Sequence, residues 1–97
     1  MTKPHRSKAL TATINRLARR FDGTANESGE IRYGSATIRV TTSATVADAV
    51  AELSQQRGPV YVAMTNREGV RDALRVADGT KVGVMQPDGE IVRPAEE

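Results

Sequence analysis

Six lysine and arginine side chains, and no aspartate or glutamate, occur in the first twenty residues of the chain. The six are Lys3, Arg6, Lys8, Arg16, Arg19 and Arg20. Because the 97 residues hold 14 basic and 12 acidic side chains, positions 21–97 hold eight basic and all 12 acidic ones, a formal charge of −4. Such an uneven distribution favours an anionic partner. Cationic side chains neutralise the phosphates of DNA or RNA, so we predict that these six residues bind nucleic acid or another anion.

A second basic row lies further along the chain. Arg67, Arg71 and Arg75 recur at i, i+4 and i+8, which places them along one side of a helix. We treat them as secondary candidates for the same kind of contact. Acidic residues lie within three or four positions of these arginines: Glu68, Asp72 and Asp78. The row is therefore more typical of a charge-compensated helix surface than of a binding site.

The residue types that most enzymes need are scarce. The chain has no cysteine, which excludes thiolate catalysis and cysteine metal sites. His5, the only histidine, lies in segment 1–6, which we predict to be a disordered basic arm that would not orient a base or a metal ligand. The hydroxyl-rich segment 41–45 lacks the glycines of a phosphate-binding loop. We therefore predict a protein that is not an enzyme and binds no metal or cofactor.

Apolar spacing and turn residues predict the elements that must position the basic groups. The predicted elements are helix 8–21, strands 30–33 and 36–41, helix 46–57, strand 60–64, helix 67–77, and strands 81–85 and 90–93. In the first helix, one apolar stripe is formed by Leu10, Ile14, Leu17 and Phe21. Between the first two strands, Gly34 and Ser35 predict a type II′ turn.

Helix ends are predicted from capping residues. Ser7, Thr45 and Asn66 are the predicted N-caps, because each side-chain oxygen can accept a hydrogen bond from a free backbone N–H. Thr45 with Asp48 resembles a capping box. Gly23 is expected to end the first helix by adopting a left-handed conformation.

The element order α-β-β-α-β-α-β-β predicts an α+β fold. A strand–helix–strand–helix–strand segment requires parallel pairing, and the flanking hairpins add antiparallel strands. We expect a two-layer sandwich in which a mixed sheet carries helices mainly on one face. Residues 7–93 would form this single domain, with a frayed tail at 94–97. The alternation around Ile38 and Val40 predicts a solvated sheet face on the side of Thr37, Arg39 and Thr41.

Composition adds further expectations about partners and location. Aromatic residues make up 3% of the chain, so bases would find few stacking partners and nucleic-acid binding would depend on the backbone, with weak sequence specificity. A core built from small apolar side chains buries little area per residue, which favours a homodimer. No apolar run is long enough to span a membrane, and no secretory signal is recognisable, so we expect a cytoplasmic protein.

These observations favour a small regulatory or accessory protein that binds nucleic acid through its basic N-terminal arm and helix. The alternative is a protein-interaction module or inhibitor, of the kind that phages use against host proteins, whose basic lobe or sheet edge contacts an acidic protein. No residue motif assigns the chain to a family.

Overall fold

A computed structural model describes residues 8–26 and 29–96, so the predicted arm at 1–6 and the predicted cap Ser7 lie outside the described residues. Three helices and six strands occur within the described ranges. In chain order they are α1 (Lys8–Arg20), β1 (Thr24–Ala25), β2 (Glu30–Tyr33), β3 (Ala36–Thr41), α2 (Val46–Leu53), β4 (Val60–Met64), α3 (Arg67–Ala77), β5 (Gly83–Met85) and β6 (Ile91–Arg93). Each predicted helix and strand is present, and β1 is additional.

The six strands form one mixed sheet in which the spatial order is the chain order. The pairs β3–β4 and β4–β5 are parallel, and the pairs β1–β2, β2–β3 and β5–β6 are antiparallel. Helices α2 and α3 supply the two crossovers that parallel pairing requires. The predicted α+β fold with a mixed sheet is confirmed.

The sheet is packed on both faces. Alternate residues of a strand point to opposite sides, and β4 accordingly contributes Val62 to one apolar core and Ala63 to the other. Helices α2 and α3 cover the first face, whereas Ile14 and Leu17 of α1 cover the second. Two of the three helices therefore share a face, and α1 adds a layer on the opposite side.

One expected solvated surface is buried instead. Thr37 and Thr41 of β3 are almost fully enclosed because α2 packs over that side of the strand. Arg39, which lies between them, forms a salt bridge with Glu52 of α2. The expectation of a solvated face at β3 is wrong. Alternation of polar and apolar residues suggested it, but short threonine side chains can also line a buried helix–sheet interface.

The end of α1 differs from the prediction in one residue. Asp22, rather than Gly23, has the left-handed conformation, with φ of 52°. Gly23 N donates to Ala18 O at 2.8 Å and Asp22 N approaches Arg19 O at 3.4 Å, the arrangement of a Schellman motif. Gly23 is needed for a different reason, because a β-carbon there would lie 2.8 Å from Arg32 O.

The beginning and the end of α2 also depart from the prediction. Thr45 makes no side-chain cap hydrogen bond, and its hydroxyl instead lies 2.6 Å from that of Thr41. Beyond Leu53, the amides of Gln55 and Gln56 bond to carbonyls three residues back, so the helix changes into turns before Gly58. In contrast, Asn66 caps α3 as predicted, since its side chain accepts a hydrogen bond from Gly69 N at 2.7 Å.

Two hairpin turns lie at the ends of strands. Gly34 has φ of 57° and Ser35 does not have a positive φ, in agreement with a type II′ turn. In the β5–β6 turn, Gly89 has φ of 94° and its N–H donates to Gln86 O at 2.9 Å. Beyond Pro94, Glu96 N donates to Lys81 O at 2.8 Å.

None of the helices in the described ranges has the length and apolar character needed to cross a membrane.

Candidate functional site

The orientation of α1 is fixed by its apolar stripe. Ile14 and Leu17 pack against the sheet and are only 2% and 0% exposed. The hydroxyl of Thr13, which lies beside them, donates a hydrogen bond to Ala9 O at 2.8 Å. A helix that buries one side must expose the other. The four described candidates of the first basic set therefore face solvent: Lys8, Arg16, Arg19 and Arg20. The remaining two, Lys3 and Arg6, lie outside the described residues.

The cations of α1 have no carboxylate partners within the described ranges. The helix contains no acidic residue, and the two salt bridges found in the described structure involve the strand arginines Arg39 and Arg93. Arg19 and Arg20 lie in the last turn, where the helix dipole favours positive charge. A surplus positive field therefore stands outside α1.

A shallow cavity of about 420 Å³ follows this exposed side of α1. Its lining residues are Ala12, Asn15, Arg16, Arg19 and Arg20. Three guanidinium groups and one amide give many hydrogen-bond donors, and Ala12 leaves space between them. This donor set suits the oxygens of phosphate or carboxylate groups, which guanidinium binds in bidentate fashion.

The turn between β5 and β6 supports the end of this surface. A β-carbon on Gly89 would lie 2.7 Å from Arg20 Cδ and 3.1 Å from Leu17 Cδ2, so the absence of a side chain lets the turn approach α1 closely. The aliphatic part of the Arg20 side chain therefore packs against this turn, although the residue as a whole is exposed. Part of the side chain that would contact a ligand is held in place before binding.

The structure does not bring the secondary basic row to the same surface. Arg67, Arg71 and Arg75 are exposed on α3, which packs on the sheet face opposite to α1. A cavity of about 360 Å³ beside this row includes Glu68 between Arg67 and Arg71 in its lining. A carboxylate in the lining lowers the positive potential there, so the α3 row is a weaker anion site than α1.

All three aromatic side chains of the protein pack against the α1-facing core, and two of them are in ring contact. The rings of Phe21 and Tyr33 are stacked, with centroids 4.8 Å apart and planes at 20°. The Arg20 guanidinium carbon lies over the Phe21 ring, 5.7 Å from its centroid. Burial, and secondarily the nearby Tyr61, raise the pKa of Tyr33 above its ordinary value. All three rings remain half-buried and pack at the margin of the α1-facing core.

Sequence reasoning did not find this aromatic cluster. The three aromatics are distant in sequence, so no local spacing joins them. A signal was nevertheless present, because Phe21 continues the apolar stripe of α1 and Tyr33 shares its strand face with Ile31. Those two facts place Phe21 beside Tyr33 once α1 is known to pack on the sheet face of Ile31.

A polar cavity of about 380 Å³ lies where the β2–β3 turn meets the loop after α2. Its lining includes two exposed arginines that sequence analysis did not single out, Arg32 and Arg57. The two loops are in close contact, because a β-carbon on Gly58 would lie 2.8 Å from Ser35 O. The carbonyl end of α2 lies at this loop and opposes anion binding, as the carbonyl end of α1 does beside Arg19 and Arg20.

Comparison with known protein families, with curated protein sequences and with solved structures gives no match. Within residues 8–26 and 29–96, there is no group of three or more histidine or carboxylate side chains placed to hold a metal ion.

Proposed function

We propose that this protein is a small, non-enzymatic regulatory or accessory protein of the cytoplasm that binds nucleic acid through α1 and the basic residues before it. The observation that carries the proposal is the set of exposed cations on α1 with no carboxylate partner in the described structure. Guanidinium groups already paired to acids of the same chain would have no surplus charge to offer. Here the charge remains available to phosphates.

Binding by this surface is expected to depend strongly on salt. Each phosphate contact releases counterions, so the logarithm of the binding constant falls with the logarithm of salt concentration, with a slope of about −0.7 to −0.9 per contact. Three to four contacts from α1 would give a slope of roughly −2 to −4. Fluorescence anisotropy with labelled single-stranded and duplex oligonucleotides, over a range of NaCl concentrations, measures this slope.

Reversing the charge of Arg16, Arg19 and Arg20 to glutamate should abolish binding. The matched control reverses Arg67, Arg71 and Arg75, which changes the net charge by the same amount on the opposite side of the sheet. The control variant should keep most of the affinity. Circular dichroism checks that both variants fold, and an Arg→Gln triple on α1 avoids placing acids at the negative end of the helix.

Two outcomes contradict the proposal. One is that neither single-stranded nor duplex probes bind the intact protein at low salt. The other is that the α1 and α3 triple variants lose affinity equally, since binding would then follow net charge rather than the surface of α1.

A second candidate function rests on a separate observation. Ile91 and Val92 of the edge strand β6 are 46% and 39% exposed, and they are the large apolar side chains that stand out on the described surface. A protein partner that adds a strand to this edge would cover them. Capture of one stoichiometric protein that is lost in an Ile91→Lys variant, with no nucleic-acid binding, would favour an interaction module. The homodimer stays a prediction in either case.

A further inference from the structure

We infer that the nucleic acid bound by α1 is single-stranded, and that its bases stack on the aromatic platform formed by Phe21, Tyr33 and Tyr61. This inference rests on the proposed function and adds the class of ligand to it. The expectation from sequence was binding to the phosphate backbone alone. Assembly of the aromatics in the folded chain changes that expectation.

The platform has the elements of a base-stacking surface. The stack of Phe21 on Tyr33 uses one face of each ring, so a base would stack on a ring face that this pair leaves free. Tyr33 and Tyr61 lie on β2 and β4 on the α1 side of the sheet, and both are half-buried, so each is held by packing while part of it faces solvent. Side chains fixed in this way lose little conformational entropy when a base binds.

The position of Tyr61 depends on a glycine in the neighbouring strand. A β-carbon on Gly83 would lie 2.5 Å from Tyr61 Cδ1 and 2.7 Å from both Arg93 O and Ala95 N, so the ring lies against Gly83 of β5 next to the end of β6. The Tyr61 ring therefore contacts the sheet at Gly83. Aromatic rings lying on a sheet surface are the arrangement with which several single-strand-binding folds hold bases.

The platform is continuous with the basic surface of α1. Arg20 lines the α1 cavity and also lies over the Phe21 ring, so the two features share a side chain. A single strand crossing from the cavity to the platform would place its phosphates beside the guanidinium groups and its bases on the rings. Charge together with stacking is the combination that binds single strands without sequence preference. In a duplex the bases are already stacked and paired, so the rings would add nothing.

The test compares three probes of equal length at low salt: a labelled oligo-dT, the corresponding oligo-U, and a duplex. Because the protein has two tyrosines and no tryptophan, quenching of its intrinsic fluorescence reports stacking at Tyr33 and Tyr61. We expect both single strands to bind more tightly than the duplex and to quench the fluorescence. Oligo-dT and oligo-U differ in the sugar and in the C5 methyl group of the base, and either order of affinity between them supports the inference.

Substitutions at Tyr61 separate the ring from its hydroxyl and from general packing. Tyr61→Leu removes the ring and should weaken single-strand binding by roughly 5- to 100-fold, whereas Tyr61→Phe should stay within about twofold of the parent. Phe21→Leu provides a second ring deletion in case Tyr61→Leu does not fold, and thermal unfolding checks each variant. Duplex binding should be unchanged in all three variants.

Equal affinity for single strands and duplex, with no effect of Tyr61→Leu or Phe21→Leu, would overturn the stacking inference. The proposed function would survive that result if binding still depended on Arg16, Arg19 and Arg20. Absence of binding to every probe would overturn both.

Discussion

Arg39 and Arg93 show how guanidinium groups are neutralised in this protein. Arg39 pairs with Glu52, and Arg93 lies 3.7 Å from Asp78 and also donates to Thr80 O. Both arginines are only partly exposed, and both lie on the face covered by α2 and α3. Arg16 and Arg19, in contrast, are exposed and have no such partners among the described residues. The contrast separates arginines that support the fold from arginines that are available to a ligand.

Tyr33 gives a prediction about pH. Burial and the neighbouring Tyr61 raise the pKa of Tyr33 above 10.0, so the folded protein keeps the phenolic proton at pH values where the unfolded chain has lost it. The free energy of unfolding is therefore unaffected by this group below pH 10 and falls as the pH rises through the folded pKa. Urea unfolding between about pH 9 and pH 11 should show this fall.

The control for this prediction is Tyr33→Phe, which keeps the ring stacked on Phe21 and removes the titrating group. Its stability should decrease less over the same pH range. Identical pH profiles for the parent and Tyr33→Phe would show that Tyr33 titrates alike in the folded and unfolded states.

At the scale of elements, glycine is required at position 23, after the end of α1, by close contact rather than by backbone conformation. Gly23→Ala would place a β-carbon 2.8 Å from both Arg32 O and Ile31 Cγ2, which forces β2 and the helix end apart. We expect a loss of about 1–3 kcal/mol of stability. The measurement is urea unfolding followed by circular dichroism.

Gly79→Ala is the matched control for Gly23→Ala. Gly79 has φ of 79°, and no atom lies within 4 Å of a β-carbon added there. Gly79→Ala should therefore lose only the stability that a left-handed alanine costs, about 1 kcal/mol. If Gly23→Ala were as stable as the parent, the tight packing of α1 against β2 would be refuted.

Elements defined by local signals were predictable from sequence. Helix α3 was predicted with the observed ends because Asn66 supplies a cap within three residues and Val70 and Ala73 repeat at helical spacing. Strand β1 was not predicted, because two residues form a strand only when β2 is beside them. Nor does any local signal say which face of the sheet α1 covers. The aromatic platform depends on that choice, so it became visible only in the folded chain.

At the scale of the molecule, the first basic set has four members on α1 and two members, Lys3 and Arg6, before it. Deleting residues 1–7 removes Lys3 and Arg6 and leaves the four cations of α1. If both segments contact phosphates, the deletion should make the salt slope shallower by about 1.4–1.8, two contacts, without abolishing binding. Anisotropy titrations of the full and shortened chains measure the difference.

The matched control for the deletion is Lys3→Gln with Arg6→Gln in the full-length chain, which should give the same slope. An unchanged slope in both variants would confine the binding surface to α1. A complete loss of binding in both would mean that α1 alone is insufficient, contrary to the outcome expected for the deletion.

The sequential order of the strands has a consequence for how the chain folds during synthesis. Each strand pairs only with strands adjacent in sequence, so a nascent chain emerging from the ribosome can extend the sheet stepwise without waiting for a distant segment. The side covered by α1 is an exception, because Met85 and the turn at Gly89 complete it. Translation must therefore pass Gly89 before the first helix acquires its full set of neighbours.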